Sequence, residues 1–254
     1  MNDYRAPSFL RGFARGLRQQ FYPIPRLSEL FIRRTGKLFG GQLRTGAVCV
    51  DIGSGVSPHR SIAKQSFDIA QYIALDVAAS DSTDLVADAT QLPFADSCVD
   101  IAISIETLQH VANVNAALDE IVRVLAPGGI VIVSTPFAFA ECDFVDFRRW
   151  TLRGIEFELE SRGLEILLAR RRGGLLFAVT SMLHWGVQHI IPGARRSWRT
   201  KQSSIATLRA AVVLILGLPT AALSWLALGL DALLPESGFY VGTLVVARHG
   251  QIKD

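Results

Sequence analysis

The stretch Val48-Cys49-Val50-Asp51-Ile52-Gly53-Ser54-Gly55 constrains this chain more than any other. An apolar run ends in an acid and then in two glycines one residue apart. Such a run suits a strand buried on both faces, as in a parallel sheet. The glycines let the chain turn so that backbone, rather than side chain, meets a ligand. The pattern predicts a strand, a tight turn and a nucleotide-type site at the carboxyl edge of a parallel sheet.

A chain of 254 residues, half of them hydrophobic, buries one good core, or one domain plus an elaboration. Its charge is unevenly spread. Residues 1–46 carry nine Lys/Arg against two Asp/Glu, residues 47–169 seven against eighteen, and residues 170–254 ten against three. Basic ends flank an acidic middle, and such ends suit phosphate head groups, nucleic acid or an anionic substrate. The basic ends lack aromatics interleaved on a recognisable platform, so nucleic acid is not the expected partner. Cys49, Cys98 and Cys142 have neither metal-ligand spacing nor a paired framework, so no metal is expected and a reduced, cytoplasmic setting fits. No apolar stretch of signal-peptide kind stands near the N-terminus.

From Ala47 onward, short apolar runs alternate with helical stretches. Strands are expected at 47–51, 72–76, 84–87, 99–105 and 130–134, with a helix over Asn113–Leu125 whose apolar residues repeat on one face. Pro127-Gly128-Gly129 ends that helix before the next strand. A helix over Leu152–Arg162, a strand over Leu164–Ala169 and a last strand over Phe239–Arg248 complete the series. Alternation of this kind predicts a parallel sheet with helices on both faces. Upstream, Ser8–Tyr22 has the periodicity of a basic amphipathic helix, suited either to packing on the domain or to a membrane surface.

Several motifs follow one another in a set order: Val50-Asp51-Ile52-Gly53-Ser54-Gly55, Tyr72-Ile73-Ala74-Leu75-Asp76, Asp88-Ala89-Thr90-Gln91-Leu92-Pro93-Phe94, Ile105-Glu106-Thr107-Leu108-Gln109-His110-Val111 and Arg123-Val124-Leu125-Ala126-Pro127-Gly128-Gly129. Through this ordered series, residues 45–170 resemble the class I S-adenosylmethionine-dependent methyltransferases, type 11 group. The resemblance implies an α/β fold: a seven-stranded, doubly wound Rossmann-like sheet, here with a hydrophobic helical insertion before the last strand. It implies S-adenosylmethionine as cofactor. Gly53, Ser54 and Gly55 would bring the main chain against it, and Asp51 would either hold the turn or face its amino group. Asp76 would take the ribose hydroxyls, Asp88 the adenine amino group with the Ala89 amide beside it, and Ile105 and Glu106 would line the pocket where the methyl faces the acceptor. His110 is the best-placed base for an acceptor that must lose a proton, its alternative being packing near the helix start. Asp143–Thr151 resembles a segment of methyltransferases from glycan and lipid biosynthesis, with Ala140-Glu141 replacing the histidine–glutamate pair usual there. On that likeness Arg149 and Asp146 line the acceptor pocket; the alternative is a structural ion pair. A dinucleotide dehydrogenase would require glycine at position 58, which is Pro58. Ser57 departs from the methyltransferase pattern, where a third glycine is common.

The expected organisation is a basic N-terminal helical region (1–46), a cofactor-binding core (47–173), a hydrophobic helical insertion (174–234) and the final core strand (235–254). Ala210–Leu230 is 21 residues without a charge. At ~1.5 Å per residue it reaches about 30 Å, a bilayer core's thickness. A single crossing would strand the last strand on the far side, so a monotopic or re-entrant hairpin broken at Pro219 is expected instead. Arg170–Arg172, Arg195, Arg196, Arg199, Lys201 and Arg209 would then meet anionic lipid on the inner face of the cytoplasmic membrane. The alternative is a buried cap or a homodimer contact. The acceptor expected is a small or lipid-linked amphipathic molecule.

Overall fold

The structure, a computed structural model, describes residues 23–56, 59–141, 145–190, 203–234 and 238–250. The helix expected over Ser8–Tyr22, the departure at Ser57, and the basic residues Arg195, Arg196, Arg199 and Lys201 lie outside these. The described residues form two compact units, one from within 27–137, 141–172 and 242–250, the other from 23–26, 138–140, 173–190, 203–234 and 238–241.

The first unit holds a seven-stranded sheet: β1 (Ala47–Ile52), β2 (Ile69–Asp76), β3 (Leu85–Val86), β4 (Val99–Ile105), β5 (Leu125–Pro136), β6 (Leu164–Arg172) and β7 (Gly242–His249). Their order is β3-β2-β1-β4-β5-β7-β6. β7 is antiparallel to both neighbours and the other pairs are parallel. The strand order reverses between β1 and β4, and there the carboxyl ends of the parallel strands open a crevice.

Alternation along the strands feeds two cores. Cys49, Ile101, Ile103, Ile130, Ile132 and Val246 point to one face and pack with Phe31 and Ile32 of α1 (Pro23–Phe39) and with Ile62 and Ala63 of α2 (Arg60–Ser66). Val50, Ile52, Ala102, Val131, Val133 and Val245 point to the other, against α3 (Val114–Val124) and α4 (Leu152–Glu160). Burying each large aliphatic side chain contributes roughly 1.5–3 kcal/mol, so the two cores explain why the sheet carries helices on both sides. Side-chain oxygens close the starts of the latter helices. Asn113 Oδ1 accepts from Ala116 N and Thr151 Oγ1 from Gly154 N. Residues Pro127-Gly128-Gly129 do not form a separate stop, because β5 begins at Leu125 and runs through them.

In the second unit α5 (Leu175–Ile190) and α6 (Ser203–Asp231) pack together and stand between β6 and β7 in the chain. Asp231 folds back on the start of α5, where its carboxylate accepts from Gly174 N, Leu176 N and Phe177 N at 2.8–3.0 Å. The expected break at Pro219 does not occur: α6 is one helix of 29 residues. Pro219 lies on its exposed side, so the ring meets no packed neighbour helix, and pairing with α5 holds the rest in register. Among the described residues no helix is long and apolar enough to cross a membrane.

Candidate active site

The turn after β1 is built from the two glycines in left-handed backbone, Gly53 at φ +74° and Gly55 at φ +55°. Gly53 N and Ser54 N both donate to the Leu75 carbonyl, at 2.8 and 2.9 Å, which ties the turn to the end of β2. A side chain at Gly53 would run into Thr107, whereas the space beside the Gly55 Cα is open. The first glycine is therefore needed for conformation and for close approach, the second for conformation and for an uncovered backbone.

Asp76, the last residue of β2, bridges this turn to its own loop. Its Oδ2 accepts from Gly55 N at 2.8 Å and its Oδ1 from Ala78 N at 3.0 Å. The exposed Asp88 shapes the next loop by accepting from Thr90 N at 2.8 Å. Arg60 supports the edge of the same region: it pairs with Asp84 at 2.5 Å and stacks over the Tyr72 ring. Asp84 is held below the usual carboxylate range, first by the Ala74 N–H and then by that guanidinium.

A cleft of about 480 Å³ opens here, lined by Gly53, Asp76, Val77, Asp88, Ala89, Glu106, Thr107 and His110 among others. That volume falls among ordinary small-ligand sites. Of the residues singled out from sequence, Gly53, Asp76, Asp88, Ala89, Glu106 and His110 line it. Asp51, Ser54, Gly55, Ile105, Asp146 and Arg149 are not among its lining. Asp51 is 1% exposed and accepts from the Tyr72 hydroxyl at 2.5 Å, with His59 Nδ1 at 3.6 Å. It ties the end of β1 to Tyr72 of β2. Ser54 Oγ is buried and has no hydrogen-bond partner among the described residues.

His110 belongs to a short 3-10 turn, Leu108–His110. Its Nδ1 meets the Val145 carbonyl, which can only accept, so that nitrogen carries the proton. Nε2 then accepts from the Gln109 side-chain amide at 3.1 Å. Both ring nitrogens are engaged. The following segment docks on the same turn: Phe147 N donates to Gln109 O at 2.8 Å, and Arg148 donates to the Val111 and Ala112 carbonyls. Arg149 and Asp146 form an ion pair with each other, with the Asp146 carboxylate fully covered.

Glu106 departs from ordinary backbone, at φ +55°, which costs a non-glycine residue on the order of 1 kcal/mol. Its surroundings hold it there. Glu106 N donates to Ser134 O at 3.0 Å, and Glu106 Oε1 accepts from Ser134 Oγ at 2.8 Å. Arg172 Nη2 reaches the same Oε1 at 2.8 Å, while Arg172 Nη1 donates to Ser134 Oγ at 3.0 Å. This corrects the sequence expectation for Arg172: it is 1% exposed and pairs with an acid of the cleft, so it does not face lipid. The closing strand is cut to fit it, since a Cβ at Gly242 would overlap the guanidinium. The sequence reading also passed over Thr107 and Gln109, although both stand inside the motif that contains Glu106 and His110.

Residues 50–133 match the family model described as a methyltransferase domain. Among curated proteins, an Arabidopsis thaliana tRNA (carboxymethyluridine(34)-5-O)-methyltransferase is 33% identical over 116 residues, spanning 43% of this chain and 28% of that protein. A malonyl-[acyl-carrier protein] O-methyltransferase of Methylococcus capsulatus is 30% identical over 141 residues, spanning 45% of this chain and 50% of its own length. The chain thus spans half or less of these relatives. Among solved structures, Haemonchus contortus phosphoethanolamine N-methyltransferase 2 in complex with S-adenosyl-L-methionine aligns over 86% of this chain and 52% of its own. The TM-score is 0.52 at 16% identity, a likeness of fold.

Proposed function

We propose that residues 50–133, which match a methyltransferase domain, form the cofactor-binding part of a class I S-adenosylmethionine-dependent methyltransferase, and that the chain transfers a methyl group from S-adenosylmethionine to a small or lipid-linked amphipathic acceptor at the cytoplasmic face of a membrane. The observation that carries this reading is the clamp between Asp76 and the Gly55 amide at the mouth of a cleft also lined by Asp88, Ala89 and Glu106.

These residues fit the cofactor. The open side of Gly55 leaves backbone uncovered where a side chain would otherwise stand, and the unpartnered Ser54 Oγ offers a further polar atom beside it. Asp76 would hold the ribose hydroxyls, and the Asp88–Ala89 turn the adenine edge. When bound, the sulfonium group supplies an activated methyl that passes to a nucleophile as the carbon–sulfur bond breaks onto sulfur. The chain's own task is to align the acceptor and exclude water. Glu106, fixed by Arg172 and Ser134, gives the cleft a carboxylate that cannot swing away. His110 can take a proton at Nε2 only after the Gln109 amide releases it, which favours acceptors that are already nucleophilic. Arg149 and Asp146, paired with each other outside the cleft lining, would bear on the acceptor through Phe147, which joins their segment to the His110 turn.

The test is transfer of labelled methyl from S-adenosylmethionine to a membrane extract. Label in the extracted lipid fraction supports the reading. Label only in water-soluble products returns the acceptor to a soluble small molecule, and no transfer by protein that binds the cofactor points to a non-catalytic scaffold.

A further inference from the structure

The two helices of the second unit are inside out for a protein surface. Over residues 215–231 of α6 the buried positions are Gly217, Ala221, Ser224 and Ala227, with Thr220 half-buried among them. Ile215, Leu216, Leu218, Leu223, Trp225 and Leu226 are exposed. At 100° per residue, the small and polar residues fall on one side of the helix and the large apolar ones on an arc of about half the circumference opposite.

α5 shares the outward half of this arrangement. Phe177, Ala178 and Ser181 are buried, His184 on the same stripe meets Thr220 Oγ1 of α6 at 2.8 Å, and Val179, Met182 and Leu183 face outward. An amphipathic pair in water puts its large aliphatic residues between the helices. Here, apart from Phe177, the buried side is made of small residues and carries a side-chain hydrogen bond, while the large aliphatic ones face out, which is how helices pack when their outer surface meets hydrocarbon.

Charge identifies the occupant. Residues 174–230 contain five Lys/Arg, at 195, 196, 199, 201 and 209, and no Asp or Glu. The acid that follows, Asp231, is turned inward onto the N-terminus of α5. A second copy of the chain would bring a second stretch of the same sign, which repels, whereas an anionic lipid surface complements so basic a stretch, at roughly 1 kcal/mol for each basic side chain near the head groups.

We infer that the outward face of the α5–α6 pair docks into one leaflet of an anionic bilayer, with the exposed leucines and Ile215 among the acyl chains. The inference rests on the membrane-face reading above and names the element that performs it. Neither helix has to span the bilayer for this, because an amphipathic pair lies in the interface plane with its apolar side buried.

The experiment is flotation of the full chain with phosphatidylcholine vesicles, with and without an equal part of phosphatidylglycerol, alongside S-adenosylhomocysteine calorimetry on every variant. The expected result is co-flotation with the anionic vesicles and weaker recovery on phosphatidylcholine alone. Ile215→Gln combined with Leu226→Gln should cut vesicle partitioning roughly tenfold with cofactor binding unchanged, whereas Phe157→Gln, an exposed apolar change in the other unit, should float like the parent. Equal flotation of the double variant would overturn the docking face while leaving the membrane reading in place. Absence of vesicle binding by a monomeric parent would overturn both, and a dimer that the double variant dissociates would give the face to a second copy. In each case retained cofactor binding keeps the methyl-transfer reading separate.

Discussion

Nη2 of Arg172, at the end of β6, lies 2.8 Å from Oε1 of Glu106, just beyond β4, and the two differ sharply in burial: 1% side-chain exposure for the arginine, 31% for the glutamate. Removing one partner is therefore not equivalent to removing the other. Glu106→Gln leaves a covered cation without its counter-ion and should destabilise the fold by about 3 kcal/mol. Arg172→Met leaves a carboxylate that can reach water and should cost less. Chemical denaturation of the two single variants and the double variant checks this; equal single effects would contradict the asymmetry.

The glycine turn gives a second contrast. Gly53→Ala forces a side chain into Thr107 in left-handed backbone and should lower the unfolding temperature as well as abolish cofactor binding. Gly55→Ala meets open space, so its stability loss should stay near 1 kcal/mol, while strain in its left-handed backbone disturbs the amide held by Asp76 and weakens cofactor binding. Calorimetry paired with thermal unfolding separates the two, and similar stability losses would contradict the packing argument.

Acid sensitivity should trace to carboxylates held low. The Arg123 side chain, and then the Leu92 N–H, keep Glu120 below the usual carboxylate range, and Asp84 is lowered by Ala74 N–H and Arg60. A carboxyl with a lower pKa folded than unfolded stabilises fully above its unfolded value, about 4, and this contribution disappears as pH falls towards the folded value. Unfolding temperature should thus be level from neutrality to about pH 5 in these terms and drop below about pH 4. Glu120→Gln should have a shallower acid limb; an unchanged limb would assign the acid loss elsewhere.

At the start of α5, Asp231→Ala removes three backbone hydrogen bonds at once. Loss of a helix N-cap costs about 1 kcal/mol or somewhat more, and the effect should stay within the second unit. Hydrogen exchange should accelerate at residues 174–180 with little change along β1 and β4. Uniform acceleration across the sheet would contradict this local role.

Much of the fold was legible because its signals are local. The apolar run before Asp51, the repeat along α3 and the acid closing β2 each announce an element within a few residues, and the order of motifs joins them. The pairings that complete the site are not local. Three consecutive arginines at 170–172 read as an exposed charge run, and only the neighbouring strands reveal that the third is covered and paired with Glu106. Asp51 and Asp76 both end apolar runs, yet Tyr72 and His59 occupy the first while the Gly55 amide meets the second. His110 was visible as a base, but not the Gln109 amide on its Nε2. Pro219 suggested a break because propensity is felt locally, and pairing along α5 outweighs it.

The most direct measurement is calorimetric titration of S-adenosylhomocysteine into the full chain and into Asp76→Ala. The account predicts saturable one-to-one binding by the parent and its loss in the variant, whose sheet should stay folded because Asp76 contacts the turn through hydrogen bonds at its surface. A folded parent that binds no cofactor, or a variant that binds as tightly as the parent, would contradict it.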